Sequence, residues 1–245
     1  METEVVFGVH PIREVLRKGA RECHELVVGR SKKDPAAKEI LSLARQRKVP
    51  FRFGTKQEVE RMAPGGNHQG FALVAAALRE RELTEFLSTA EVNRRTLWIG
   101  LDGITDPHNL GAVIRNAACF GAAAVVLPQR DSARLTPLVQ KIASGATEHV
   151  PVVQAPSVNH AIRQLRDEGF FVFAAATEGV PLPEIAFRGP ALVLIGAEGR
   201  GLKRRTREIA DERVAIPQAP GGVASLNASA AAAVMLYEVR RALGT

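Results

Sequence analysis

Two successive α/β units, the second built on a parallel sheet, are predicted by three features of the chain. Short apolar runs rich in Val, Ile, Leu and Ala alternate with amphipathic stretches along its 245 residues. In the second part several of these runs are apolar throughout, as strands are when helices cover both faces of a parallel sheet. Turns rich in glycine and proline follow several runs, at the strand ends where such sheets bind ligands.

In the first part, Pro11 opens a helix over 11–17, because proline is pre-organised for a first helical turn. A short apolar strand over 25–28 follows. Residues 35–47 set Ile40, Leu41 and Ala44 on one helical face. A strand over 50–53, a helix at Lys56–Met62 and the turn Pro64-Gly65-Gly66-Asn67 lead to a strand at Phe71–Ala76. Residues 1–76 thus read as a small sheet covered by helices, and the charged stretch 77–95 as a linker. From residue 96 a larger pattern begins. Strands are expected over 97–101, 124–127, 150–153, 170–175, 192–195 and 213–216. Helices are expected over 110–120, 137–144, 158–168 and 203–210, with a long one at Ala228–Leu243. The run Ala228-Ser229-Ala230-Ala231-Ala232-Ala233 gives that last helix a slim face suited to close packing, for instance against a second subunit.

Composition bounds the function. Hydrophobic residues make up 46% and charged residues 24%, the balance of a globular domain. The net charge of +7 points to a polyanionic partner. Residues 1–95 hold 18 of the 33 basic residues against 13 acids, so most of the excess sits there. Arginine dominates the basic set, with 25 of the 33; its planar fork suits phosphates and bases. No apolar run reaches the length of a membrane span, and the opening METEVVFGVH lacks the basic and apolar regions of a secretory signal. A cytoplasmic protein is expected, with no membrane partner. Cys23 and Cys119 stand far apart, without metal-ligand spacing or a disulfide framework, so no metal is expected and both read as small buried residues.

Three loops carry the chemistry. In LDGITDPHNLGAVIRNA, Asn109 suits the N-cap of a helix, and Arg115 in the second turn leans back toward the same end. In ALVLIGAEGRGL, an apolar strand runs into Gly196, Gly199 and Gly201, with Glu198 between them. Glycines there permit close backbone approach, and a carboxylate among them can orient a partner or cap a helix. In RVAIPQAPGGVASLNAS, a strand ends at Ile216-Pro217 and the loop leads to Ser225-Leu226-Asn227-Ala228-Ser229. Its Ser and Asn are good helix caps, and the same loop can wrap a small ligand. Taken singly, each loop is compatible with an ordinary turn.

Together, the order N-L-G-A-x-x-R, G-A-E-G-x-G and I-P…S-L-N-x-S resembles the three motifs of the SPOUT superfamily of methyltransferases, in its TrmH-type branch. The opening FGVHPIREVL and the segment Asn67-His68-Gln69-Gly70 resemble the N-terminal domain of branch members that methylate a guanosine ribose in 23S ribosomal RNA. The resemblance implies an α/β fold whose C-terminal part, 96–245, threads a deep trefoil knot, preceded by an L30e-like RNA-binding domain over 1–76. It implies S-adenosylmethionine as methyl donor, held at Gly196, Ile216 and Leu226, with Asn109, Arg115, Glu198, Asn227 and Ser229 at the catalytic and substrate positions. It further implies large-subunit ribosomal RNA as partner and a homodimer in which Arg115 serves a site completed by the other subunit. The stretch Gln218-Ala219-Pro220-Gly221-Gly222-Val223 is one residue longer than the usual third motif.

The chemistry that follows is transfer of a methyl from a sulfonium to a ribose 2′-hydroxyl. Arg115 is expected to clamp a phosphate and stabilise the developing alkoxide, with Asn109 and Ser229 positioning ribose and phosphate, and Glu198 orienting Arg115 or a loop amide. A tRNA enzyme or a resistance-conferring rRNA enzyme of the same superfamily, or an RNA-binding assembly protein without activity, would share much of this pattern. A Rossmann enzyme would need a glycine fingerprint after its first strand, which the turn at Asp102-Gly103 lacks.

Overall fold

The computed structural model describes residues 2–29, 34–219 and 225–244. In chain order the elements are β1 (Thr3–Phe7), α1 (Val9–Lys18), β2 (Cys23–Val28), α2 (Pro35–Gln46), β3 (Phe51–Phe53), α3 (Lys56–Met62), β4 (Phe71–Ala76), β5 (Arg81–Glu82), α4 (Leu83–Leu87), β6 (Leu97–Asp102), α5 (Pro107–Cys119) and β7 (Ala124–Pro128). There follow α6 (Pro137–Ile142), β8 (Val152–Ala155), α7 (Val158–Asp167), β9 (Phe171–Ala176), β10 (Val180–Pro181), β11 (Ala191–Gly196), α8 (Arg204–Glu208), β12 (Glu212–Ala215) and α9 (Ala228–Leu243). Contacts group the chain into two compact units. One joins Met1–Arg79 with Leu135–His149; the other joins Glu80–Arg134 with Val150–Thr245.

The first unit holds a four-stranded sheet in the order β1-β4-β2-β3. Strand β4 runs antiparallel to β1 and β2, and β3 parallel to β2. Helix α2 starts where the Asp34 carboxylate accepts the Ala36 and Ala37 amides; α3 starts where Thr55 accepts the Glu58 amide. The apolar faces of α1 and α2 bury Ile12, Leu16, Ile40 and Leu41 against Leu26, Phe71 and Leu73 of the sheet, while Val59 of α3 packs with Val27 and Ala72. Strand β1 is too short and too mixed in polarity to show as a period in sequence; antiparallel pairing with β4 makes it a strand.

A buried polar network ties α6 and the turn after it into this unit. Arg21 donates to Glu4 at 2.6 Å, and the Gln140 amide donates to both Glu4 oxygens at 3.0 Å. Glu148 lies 3.8 Å from Arg21 Nε, with only 2% of its side chain exposed.

The second unit is an eight-stranded sheet in the order β10-β12-β9-β11-β6-β7-β8-β5, every pair parallel. The expected α/β class and parallel sheet are therefore present. Trp98 on β6 is core, its ring 5.3 Å from Phe86 and 5.2 Å from Phe170. The stretch 77–95, read as a linker, contains β5 and α4, and buries Leu83 and Phe86 in this core. Helix α9 packs on α5 and β11. Strand β8 begins at Val152, two residues later than expected, since Pro151 lacks an N–H for the ladder. Helix α6 ends at Ile142, because Ser144 and Gly145 turn the backbone into the left-handed region. The cysteines depart from expectation: Cys119, near the end of α5, is exposed, and Cys23 is half-buried. Among the described residues no helix is long and apolar enough to cross a membrane.

Burial raises the Glu148 carboxyl above its ordinary range, and the attraction of Arg21 only partly opposes this. The folded state thus holds the proton more tightly than the unfolded chain. This group's contribution favours folding below the ordinary carboxylate value and is lost as pH rises through the raised one. Glu148→Gln is therefore expected to raise the melting temperature by about 2 °C at pH 7, the gain shrinking toward pH 4. Circular-dichroism melts at the two pH values check this.

Candidate active site

Three strand ends of the second unit and the start of α9 meet at one cleft. Its walls come from Ala175–Thr177 after β9, Gly196–Leu202 after β11, Ile216 and Gln218 after β12, and Ser225 and Leu226 ahead of α9. Counting its open mouth, the cleft holds about 820 Å³ of empty space. Gly196, Glu198, Ile216 and Leu226 all line it. Residues 220–224, and with them most of the longer third-motif loop, lie outside the described residues.

At Gly196 the chain leaves β11 and doubles back. A Cβ there would lie 2.1 Å from the Gly201 carbonyl carbon and the Leu202 nitrogen, so no larger residue fits. The close approach anticipated from the glycines is made here by the loop's own backbone. Ala197 and Gly201 exchange two backbone hydrogen bonds, at 3.2 and 2.8 Å, and Gly199 and Gly201 take positive φ of 73° and 64°. The far end of the loop is held by Asp102, at the C-terminal end of β6 and 2% exposed. Its Oδ2 accepts the Lys203 amide at 3.1 Å and the Thr206 hydroxyl at 2.8 Å.

The mouth of the cleft carries a carboxylate held by two asparagines. Glu198 Oε1 accepts from the Asn109 side-chain amide at 3.2 Å and from the Asn227 side-chain amide. Asn227 also donates to Asn109 Oδ1 at 3.0 Å. Its own Oδ1 accepts the Ser229 amide at 2.8 Å and the Ser229 hydroxyl at 2.6 Å, which makes Asn227 the N-cap of α9. Four of the five catalytic candidates, Asn109, Glu198, Asn227 and Ser229, thus join in one network across three loops.

Two expectations change. Asn109 is not the cap of α5: Asp106 is, accepting the His108 amide at 2.9 Å, with Pro107 as the first helical residue. The Asp-Pro pair was the better signal, since proline fits the first turn and aspartate the cap. Asn109 sits in the first turn, nearly buried, with its side chain freed from capping to meet Glu198. Arg115, in turn, does not join the network. It is exposed, lies outside the cleft lining, and makes no hydrogen bond or ion pair with a described residue. Glu198 accepts from these two side-chain amides and meets no arginine among the described residues.

Two further positioning groups went unread in the sequence. Asn116 donates to the Ser229 carbonyl at 2.9 Å and so ties α5 to the start of α9. It lies seven residues after Asn109, on the same helical face, which is the signal that was available. Asp102 is the other, an acid at the end of an otherwise apolar strand.

Residues 96–237 match the SpoU rRNA Methylase family, and residues 5–81 match the RNA 2′-O ribose methyltransferase substrate binding family. The chain is 36% identical to the 23S rRNA (guanosine-2′-O-)-methyltransferase RlmB of Vibrio vulnificus over 245 residues, covering 98% of each. It is 35% identical to the RlmB of Haemophilus influenzae over 249 residues, covering 99% of this chain and 100% of the relative. The fold matches the crystal structure of the SpoU methyltransferase AviRb from Streptomyces viridochromogenes in complex with AdoMet. That match has a TM-score of 0.79 at 24% identity and covers 98% of this chain and 90% of the other. The family match and the end-to-end likeness to curated relatives agree: the chain belongs to the SpoU rRNA methylase family.

Proposed function

We propose that this protein is an S-adenosylmethionine-dependent RNA methyltransferase acting on the 2′-oxygen of a guanosine ribose in 23S ribosomal RNA. The observation that carries this reading is the Asn109–Glu198–Asn227 network at the mouth of the cleft, in a chain whose relatives of the same length are named for that reaction.

The cleft suits such a donor. Apolar side chains at Ala175, Ala176, Ala231, Ile195 and Leu202 offer a slot for a flat base, and polar groups line it at Thr177, Glu198, Arg200, Arg207, Gln218 and Ser225. Gly196, Ile216 and Leu226 would hold the donor, which supplies a methyl on a sulfonium, an electrophile that needs no metal. The protein's own task is to place the ribose hydroxyl in line and to support the charge it gains. Glu198 Oε1 is occupied by the asparagines, while Oε2 has no hydrogen-bond partner among the described residues and is available to a ribose hydroxyl. Asn109 and Ser229 position ribose and phosphate, and Asn227 fixes both through its two ends.

Arg115 is assigned to phosphate clamping in a site completed by a second copy of the chain. Its exposed guanidinium, without a partner among the described residues, supports this, as do the exposed apolar residues Val234 and Tyr237 on α9. A homodimer, a trefoil knot through the segment carrying β11, β12 and α9, an L30e-like RNA-binding role for residues 1–76 and a cytoplasmic location belong to the same reading. The basic excess of residues 1–95 supports the RNA-binding role.

Incubation with labelled S-adenosylmethionine and separate pools of unmethylated large-subunit rRNA and tRNA tests the reaction. The expected product is 2′-O-methylguanosine in the rRNA alone; label in tRNA only would refute the substrate. Arg115→Ala is expected to lower methyl transfer by about 100-fold or more while donor binding, measured by calorimetry, survives. Glu198→Ala releases both asparagines, and a comparable loss of about 100-fold in kcat is expected from their misplacement. Mixing the two inactive variants is expected to restore part of the activity, because one site of a mixed dimer then has both residues. No recovery in verified mixed dimers would place Arg115 in its own chain's site.

A further inference from the structure

Behind the glycine loop of the donor cleft lies a second cavity, lined by Asp102, Thr105, Asp131, Arg200, Lys203 and Arg207 among others. The two spaces share the wall formed by Ala197 and Gly201-Leu202, and Arg200 and Arg207 line both. Four cationic side chains, those of Arg200, Lys203, Arg204 and Arg207, surround the cavity. Two of them are already matched. Lys203 Nζ lies 3.0 Å from Asp131 and 3.9 Å from Asp102, and Arg204 pairs with Glu208 at 2.6 Å. Arg200 and Arg207 are exposed, and their guanidinium groups make no hydrogen bond or ion pair with a described residue. The field there is positive. The Asp131 carboxyl is held below its usual range, first by the hydrogen bond from Lys203 and further by Arg130 and Arg200.

We propose that Arg200 and Arg207 form a phosphate subsite that takes the RNA backbone beside the nucleotide being methylated. The inference rests on the RNA-methylation reading above. Glu198, Arg200 and Arg207 line the same cleft, so a strand whose ribose lies at Glu198 passes this pair. Planar guanidinium groups match phosphate oxygens in a bidentate way that ammonium groups do not. The methyl donor by itself is a poor occupant. It carries a sulfonium and an ammonium against one carboxylate, so two unpaired guanidinium groups beside it repel it on balance. An RNA phosphate between them offsets that repulsion. Binding of the RNA then favours binding of the donor on the other side of the same loop. Asp102, which fixes the loop from within, keeps the two arginines on a rigid mount.

The test uses the full chain, an unmethylated large-subunit rRNA transcript and S-adenosylmethionine. RNA affinity is measured across a salt series, and donor affinity is measured by calorimetry without RNA. For the double variant Arg200→Gln, Arg207→Gln, RNA affinity is expected to fall about tenfold. The slope of log affinity on log salt is expected to become shallower by about 0.7–0.9, the release of one phosphate's counterion. Donor affinity without RNA stays the same or rises. The double variant to lysine keeps the charge and is expected to retain most of the slope. Loss of donor affinity with an unchanged salt slope would overturn the proposal, since the arginines would then hold the donor's carboxylate. Unchanged RNA and donor affinities would overturn it too. Wild-type protein that neither methylates nor binds the transcript would refute the substrate reading itself, before any variant is compared.

Discussion

Where β11 ends there is no room for a side chain, and much of the site depends on that. The backbone of Gly201 and Leu202 returns so close to Gly196 that a single methyl group would strike two main-chain atoms at once. Neither atom belongs to a flexible side chain, so relief would require the loop itself to move. The tight return does three things. It builds one wall of the cleft, lifts Glu198 to its mouth, and delivers the chain to Lys203, where α8 is about to start. Asp102 then secures the outgoing end, satisfying the Lys203 amide at a helix start that has no side-chain cap of its own.

Glu198 works because of what surrounds it. It meets Asn109 in the first turn of α5 and Asn227 at the cap of α9, so two helix N-termini with their partial positive charge lie near the carboxylate. The asparagine amides hold one of its oxygens with hydrogen bonds but carry no charge, and the other oxygen has no hydrogen-bond partner among the described residues. A neighbouring arginine would neutralise it. Among the described residues no arginine pairs with it, and Arg115 makes no ion pair with any of them. Arginine without a partner among the described residues recurs at Arg200 and Arg207, which line the same cleft. Unpaired guanidinium groups suit a protein whose partner is a chain of phosphates, since internal ion pairs would have to be broken first.

The first unit follows a different logic. Arg21, Glu4, Gln140 and Glu148 are charged or polar and nearly buried, an arrangement that costs solvation and is held by hydrogen bonds among the first three and by the 3.8 Å approach of Glu148 to Arg21. It gathers residues from the start of the chain and from 135–149 into one structural body. Directional polar contacts do this more selectively than apolar ones, which tolerate many packings.

Much of this was legible in the residues themselves. The apolar runs located the central strands of both sheets, because burial on both faces leaves no polar positions. The glycines of 196–201, the Asn227 cap and the proximity of three motif loops followed from local chemistry and from the strand-end rule for parallel sheets. What depends on the chain meeting itself was not legible. Strand β1 is defined by its partner, and Leu83 and Phe86 by the core they enter. The membership of 135–149 in the first unit rests on hydrogen bonds and an ion pair spanning more than a hundred residues. The same holds in the site. Sequence could propose Asn109, Glu198 and Asn227 as candidates, but only the tertiary structure decided that one carboxylate oxygen joins all three and that Arg115 stands apart. Local residue types set what each loop is able to do; distances between loops are set by packing, which no single loop encodes.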